Sequence, residues 1–493
     1  MNIRARFGLF VPRRAVIIGA MFSDVRSVHF IGIGGIVMAA AAAALKARGL
    51  RVSGSDGDIY DPAATVLREA GLTPWRGFDE CHLEPPPDLV VVGNAISRGN
   101  PEAEAVLERR LRYCSFPELL REQFLRGRRV IVVTGTHGKT TTTALLARVF
   151  ECAGRRPGFL IGGVPRDFPS GARFNDSEWF IIEGDEYDTA FFDKRSKFLH
   201  YLPEVAILNN LEYDHADIFE DLAAIQKSFA HFLRLVPRNG LVLANGDDPH
   251  LAPLLDVNFC PVTRFGLGEG NAVRARRLEL GAEASEFTVD ESRFRVALAG
   301  EFNVRNALAV VACARHCGIP DAVIQHALAT FGGVRRRMEV RGTAAGVTVI
   351  DDFAHHPTAI RETLRALRLR FPGRRLWAVF EPRSNTTRRR VFQRELPAAL
   401  AEADQIIVAQ VAALERIPPA ERLDPVRVIA DLRQAGRPAE YLPDVPAILE
   451  FLVGAARPGD VVAILSNGGF GQIHTRLLAA LQARERAPAA ATV

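Results

Sequence analysis

The stretch "VIVVTGTHGKTTTT", Val130 to Thr143, reads as a β-branched strand, a glycine turn and the start of a helix. That order puts backbone N–H groups and a helix N-terminus at the carboxyl end of a strand, where phosphate oxygens are held. The usual phosphate loop is G-x-x-x-x-G-K-[ST], but Val133 stands where its first glycine should fall. The loop is therefore a shortened one: Gly135, Thr136, His137, Gly138, Lys139, Thr140 and Thr141 are the candidate phosphate-binding residues. Lys139 would neutralise charge, and Thr140 offers a hydroxyl to Mg²⁺. Four consecutive threonines are poor helix formers, so helix stability alone does not explain them.

Working outward, two later strands end in polar clusters. "WFIIEGDEYD" carries Glu183, Asp185, Glu186 and Asp188, and "VAILNNLEYDHADIF" carries Asn209, Asn210, Glu212, Asp214 and His215. In an open parallel sheet the carboxyl ends of the strands form the ligand crevice, so three polar strand ends predict one shared site. Mg²⁺ takes one or two carboxylates plus phosphate oxygens, and a neutral imidazole suits a second position. Thr140, Glu183 and His215 are the candidate metal ligands. The apolar residues between Ile218 and Val236 follow helical spacing and predict a core-facing helix over that segment.

The 493 residues suggest about three domains at roughly 150 residues each. Upstream, "SVHFIGIGGIVMAAAAAALKARGLRVSGSD" reads as strand, glycine turn, alanine-rich helix and second strand, a Rossmann-like opening. Its Gly32, Gly34 and Gly35 give G-x-G-G rather than the full dinucleotide fingerprint, which disfavours a nicotinamide cofactor. Downstream of "GGVRRRMEV", the apolar strands "GVTVIDDFAHHP", "LWAVFEPRSN", "QIIVAQV" and "DVVAILSNGG" alternate with helical patterns. The expected boundaries are an extension over 1–26 and domains over 27–127, 128–338 and 339–493.

The 62 Lys and Arg against 57 Asp and Glu leave a net charge of +5 spread along the chain, which suits acidic small substrates and gives no dense basic tail for nucleic acid. Six cysteines without a C-x-x-C pair argue against a disulfide framework and fit a reducing cytoplasm. In "CARHC", Cys313 and Cys317 are read as helix packing rather than metal ligands. The apolar patch "AVIIGAMF" near the N-terminus lacks a cleavage site, so it is read as a ragged extension with Met21 a candidate start, and no run is long enough to span a bilayer. The tail "QARERAPAAATV" is expected to fray.

"TGTHGKTTTT", "EGDEYD", "NNLEYDH", "GEFNVRNA", "RRRME" and "DDFAHHPTAI" occur in the order found in the Mur ligases. The resemblance runs from about Val28 to Ala480. It implies three α/β domains: a Rossmann-like N-terminal domain, a central P-loop ATPase-like domain with a mostly parallel sheet, and a Rossmann-like C-terminal domain. It implies ATP and Mg²⁺, and amide formation through an acyl phosphate, with the protein supplying position and charge neutralisation. By resemblance, Lys139, Glu183, His215 and Arg337 serve catalysis, Asn303 and Asn306 contact adenine, Arg337 reaches the phosphates, and Asp351 and His355 bring the third domain over the nucleotide. Phe302 stands where the family usually has histidine. Some relatives carry a carbamylated lysine, for which Lys227 is the nearest candidate, although its helix is read as amphipathic.

"HFIGIGGIVM", "SGSD" and "NAISRGNPE" are similar to the two family branches that load UDP-N-acetylmuramate, which places Gly34, Gly35, Ser55 and Asp56 at that substrate. One branch adds L-alanine; the other adds the tripeptide L-alanyl-γ-D-glutamyl-meso-diaminopimelate salvaged from old wall. "EPRSNTT" at 381–387, "AFFDKRSKF" at 190–198 and "SNGGFGQIH" at 466–474 resemble the tripeptide branch. Arg383, Ser384 and Asn385 are then the candidate contacts to the peptide. The alternatives are the alanine-adding branch and a nucleotide-binding regulator without ligation chemistry. A monomer or weak homodimer is expected, with neither nucleic acid nor membrane as partner.

Overall fold

The computed structural model describes residues 22 and 24–486, so the readings of the N-terminal extension and start lie almost wholly outside the described residues, as does the end of the tail. Residues 482–486 of that tail continue the helix Ile473–Arg486. The chain divides into two compact units. The first comprises the described residues up to Arg129, together with 189–194 and 200–202. The second holds the rest.

In the first unit a five-stranded sheet has Ser27–Ile31 at its centre, paired in parallel with Arg51–Asp56 on one side and Leu89–Val92 on the other. The sequence therefore reverses direction across the sheet at the strand carrying the glycine turn, where a ligand crevice is expected in this class of fold. Gly32 adopts φ +89°, which lets the chain turn sharply into the helix Ile36–Ala47. That helix buries Met38, Ala39, Ala41, Ala42 and Leu45, so its alanines are a close-packing face.

The second unit is built on two large sheets. In the eight-stranded sheet, Arg129–Thr134 lies between Val205–Leu208 and Trp179–Glu183. The pairing with Val205–Leu208 is parallel, with Leu208 opposite Thr134. This adjacency brings the three polar strand ends together. Helices Lys139–Cys152 and Glu301–His316 share one core with this sheet, and Cys313 and Cys317 are buried in that core. The helix predicted over 218–236 is shorter, Leu222–Leu233, because Asp221 caps its start by accepting from the Ala224 N–H. It buries Ile225, Phe229, Phe232 and Leu233, and Lys227 is exposed on its opposite face.

A three-stranded antiparallel sheet, Arg276 to Val296, precedes helix Glu301–His316. The six-stranded sheet follows, with Val347–Asp352, Val461–Leu465 and Leu376–Phe380 side by side in parallel and Glu339–Ala344 antiparallel at one edge. Its two faces carry separate apolar cores. Among the described residues, no helix is long and apolar enough to cross a membrane.

Candidate active site

The loop after Arg129–Thr134 is fixed from the neighbouring strand end. Asn210 accepts from the His137 N–H through Oδ1 (2.7 Å), donates to the His137 carbonyl (3.2 Å), and its own carbonyl accepts from the Thr136 N–H (3.2 Å). Thr136 Oγ1 accepts from the Glu212 N–H at 2.8 Å. Both loop glycines are required here. Gly135 has φ +130°, and a Cβ on it would lie 2.9 Å from the Asn210 carbonyl oxygen. Gly138 has φ +78°, and a Cβ would lie 2.3 Å from Asn306 Oδ1. The short loop is therefore a cradle closed against two asparagines.

The threonine run acquires reasons one residue at a time. Thr140 Oγ1 donates to Glu183 Oε1 (3.0 Å) and accepts from Arg337 (3.1 Å). Thr142 Oγ1 accepts from Asn209 Nδ2 (3.0 Å), and Thr143 Oγ1 bonds back to the Lys139 carbonyl (2.8 Å). Lys139 Nζ donates to the Gly135 carbonyl (2.6 Å) and to both oxygens of Glu186 (2.9 and 3.0 Å). Burial disfavours its charge, but Glu186, Glu183 and Asp185 outweigh that and hold the ammonium above its ordinary range.

Glu183 also accepts from the Gly162 N–H at 2.6 Å, and burial pushes its carboxyl up against the opposing influence of Lys139. His215 sits at φ +55°, with Nε2 3.1 Å from Glu186 Oε1. Burial works against its protonation, yet Glu186 and Asp214 raise it to about 9. Glu186 thus joins Lys139 to His215. Sequence reasoning placed Glu186 in the acidic cluster but gave it no role, because only the fold brings it under both cations.

A cavity of about 600 Å³ is lined by the loop residues Thr136 to Thr141 and by Glu183, His215, Asn303, Asn306, Phe302, Arg337, Asp352 and His355. Asn303 and Asn306 are one helical turn apart, with Asn306 Nδ2 donating to Asn303 Oδ1 (3.2 Å). The buried Asn209 Oδ1 has no hydrogen-bond partner among the described residues. His355 Nε2 lies 3.8 Å from Asp214 Oδ2, and burial lowers the pKa of His355. Asp351 departs from expectation. Its side chain turns away to His474 (3.2 Å) and Arg336 (3.4 Å), and the next residue, Asp352, faces the cavity. Adjacent strand residues point to opposite faces, so only one of the pair can do so.

Arg383, Ser384 and Asn385 do not line this cavity. Arg383 lies against Gly468 and 3.5 Å from Glu381, and Ser384 pairs with Thr387 (2.8 Å). Asn385 donates to Tyr187 Oη (2.9 Å) and Asp217 Oδ2 (2.6 Å), while Thr386 donates to the buried Asp214 (2.6 Å). "EPRSNTT" therefore meets the polar ends of two strands of the other large sheet. In the first unit, Asp56 accepts from the Gly34 N–H at 2.7 Å, and a Cβ at Gly34 would lie 2.8 Å from that carboxylate. Ser55 is fully buried and donates to the buried Glu102 (2.5 Å).

Three family models match: the Mur ligase family catalytic domain over 27–128, the Mur ligase middle domain over 133–314, and the Mur ligase glutamate ligase domain over 336–468. The chain is 43% identical to UDP-N-acetylmuramate--L-alanyl-gamma-D-glutamyl-meso-2,6-diaminoheptandioate ligase of Escherichia coli (strain K12), covering 93% of this chain and 99% of that protein. It is 35% identical to UDP-N-acetylmuramate--L-alanine ligase of Variovorax paradoxus (strain S110), over 91% of this chain and 94% of that one. A crystal structure of a murein peptide ligase from Psychrobacter arcticus is similar with a TM-score of 0.69 at 38% identity, over 93% of this chain and 99% of that one. With all three models matched in order and a relative this similar over nearly its full length, the chain belongs to the Mur ligase family.

Proposed function

We propose that this enzyme is the ATP-dependent carbon–nitrogen ligase that joins L-alanyl-γ-D-glutamyl-meso-diaminopimelate to UDP-N-acetylmuramate, in peptidoglycan recycling. The observation that carries the reading is the shortened loop, seated on Asn210 with Lys139, Thr140, Glu183 and Arg337 turned into one cavity. Such a cradle suits a nucleotide's phosphates: a Cβ at Gly135 or Gly138 would strike an asparagine, and the helix start Gly138 to Thr141 with its lysine lines the same space. The substrate class is supported by the E. coli relative and by the P. arcticus structure.

In this reading Lys139 and Arg337 hold phosphate charge, and the N–H groups at the start of helix Lys139–Cys152 orient the nucleotide. Asn303, Asn306 and Phe302 flank its base, with Phe302 stacking in place of the usual histidine. The oxygen donors of Thr140 and Glu183, 3.0 Å apart, fit Mg²⁺, and His215 would fit a second position on giving up the proton that Glu186 holds on it. Mg²⁺ bound there would offset charge developing on the transferred phosphoryl group. The site residues supply position and electrostatics, so that a sugar carboxylate is activated as an acyl phosphate and then attacked by the peptide's amine. Gly34, Gly35 and Asp56 are assigned to UDP-N-acetylmuramate, with Ser55 acting behind them through its bond to Glu102. Asp352 replaces Asp351 in the nucleotide set. The domain limits 27–127, 128–338 and 339–493, a cytoplasmic location and a monomeric or weakly dimeric state belong to the same proposal.

The second reading, an L-alanine-adding ligase, is favoured by the V. paradoxus relative. Phosphate release with Mg-ATP and UDP-N-acetylmuramate, comparing the tripeptide with L-alanine, separates them. Release with the tripeptide alone is expected; release with L-alanine alone would move the chain to the other branch.

A further inference from the structure

Three ligand-bearing side chains from separate segments meet beside the loop: His137 within it, Glu212 after strand Val205–Leu208, and His356 before helix Pro357–Arg370. Glu212 Oε2 is 2.9 Å from His137 Nε2 and 3.2 Å from His356 Nδ1, and all three ligand atoms lie within 4.8 Å of one another. His356 Nε2 faces the Tyr213 carbonyl at 3.3 Å, and a carbonyl only accepts. The ring proton therefore sits on Nε2, leaving a lone pair on Nδ1, which accepts from the Thr358 N–H at 3.2 Å. Nδ1 and the Glu212 carboxylate are then two acceptors at contact distance, and His356 is 5% exposed. A cation bound there would take the Nδ1 lone pair in place of the Thr358 N–H and bridge it to the Glu212 carboxylate.

We propose that His137, Glu212 and His356 form a three-ligand site for a soft divalent cation of the zinc class, separate from the oxygen-rich position at Thr140 and Glu183. Two imidazoles and one carboxylate, with water as fourth ligand, make up a familiar open zinc site. Ligands at about 2.0–2.1 Å from a tetrahedral ion lie about 3.3 Å apart. Two of the three edges, at 2.9 and 3.2 Å, are already near that length. The outer groups are in place as well. The Tyr213 carbonyl orients His356, and Thr358 Oγ1 donates to Glu212 Oε1 at 3.0 Å. His137 and Glu212 line the main cavity, which gives the ion an entry path. The site goes beyond the proposed ligase reaction. An ion here would tie His356 of the six-stranded-sheet region to the loop of the other large sheet.

The test adds Co²⁺ to the full-length, nucleotide-free protein, follows its visible absorption, and displaces it with Zn²⁺. One equivalent should give the intense band of a low-coordinate site. His137→Asn, Glu212→Gln and His356→Asn should each weaken binding by roughly tenfold or more, by analogy with losses seen when metal-site partners are removed. His215→Asn should leave the band intact. Asparagine at 356 keeps a helix-capping side chain, and His137→Asn changes only the loop, so a folding failure in one variant leaves the other decisive. An unchanged band in His137→Asn, or a band lost in His215→Asn but kept in His137→Asn, overturns the proposal. The readout does not depend on ligase activity.

Discussion

Lys139 Nζ lies 2.9 and 3.0 Å from the two oxygens of Glu186. The lysine that should meet phosphate is thus already paired, in a buried place, with a carboxylate that also holds His215. Removing one partner of such a group leaves charge uncompensated. Lys139→Met should lower kcat/KM by about 10²–10³, the scale for losing one fixed donor to developing charge. A loss below tenfold in steady-state phosphate release would show that the loop amides carry the phosphates without it.

Glu186 also sets the protonation of His215. The folded-state value of about 9 exceeds the ordinary 6.5, so the pair contributes stability fully below pH 6.5 and loses it as pH rises through 9. In Glu186→Gln, the His215 ring proton resonance should titrate well below 9 in metal-free protein. Thermal melts of that variant should also lose the wild type's decline in stability across this window. An unshifted His215 titration would assign the stabilisation to Asp214 instead.

Gly138→Ala tests the cradle directly. The new methyl would lie 2.3 Å from Asn306 Oδ1 at a φ of +78°, so strain and collision act together. A non-glycine residue forced into this region costs about 1–3 kcal/mol. ATP binding by calorimetry should disappear in a protein whose melting temperature falls by several degrees. Retained ATP affinity would mean that the loop opens away from Asn306.

How much of this could be read from the chain follows from what each feature depends on. The loop, the strand ends and the Asn303–Asn306 pair are local patterns, each set by the period of one strand or helix, and apart from Gly135, Glu186 and Asp188 their residues fall on the cavity. The choice between Asp351 and Asp352 depends on which face of Val347–Asp352 meets the other sheet. That is fixed by pairing with Val461–Leu465, more than a hundred residues downstream. The partners of Glu186 and the seat of Asn385 on Asp217 are likewise long-range contacts that no spacing encodes. The shortened helix at Leu222 was legible in principle, since Asp221 is a standard cap.

Arg383 should act on the peptide and not on the nucleotide, because it lies outside the cavity that holds the loop. Arg383→Ala should raise KM for the tripeptide by at least about tenfold, the scale of one charge-assisted contact, with KM for ATP nearly unchanged. Equal rises in both would remove "EPRSNTT" from substrate recognition.

Thr386→Val separates recognition from architecture in the same stretch. Thr386 Oγ1 donates to Asp214 Oδ1 at 2.6 Å and accepts from the Ala216 N–H at 3.3 Å, so it bridges the two large sheets rather than facing substrate. Valine keeps the shape and removes both bonds, leaving a buried carboxylate short of a donor at about 1–3 kcal/mol. Asp214 retains the His215 N–H at 2.8 Å, so the fold should survive. The expected result is a lower melting temperature, with both KM values and kcat impaired together, because His215 and His355 depend on Asp214 for position. A rise confined to the tripeptide KM would instead make Thr386 a substrate contact.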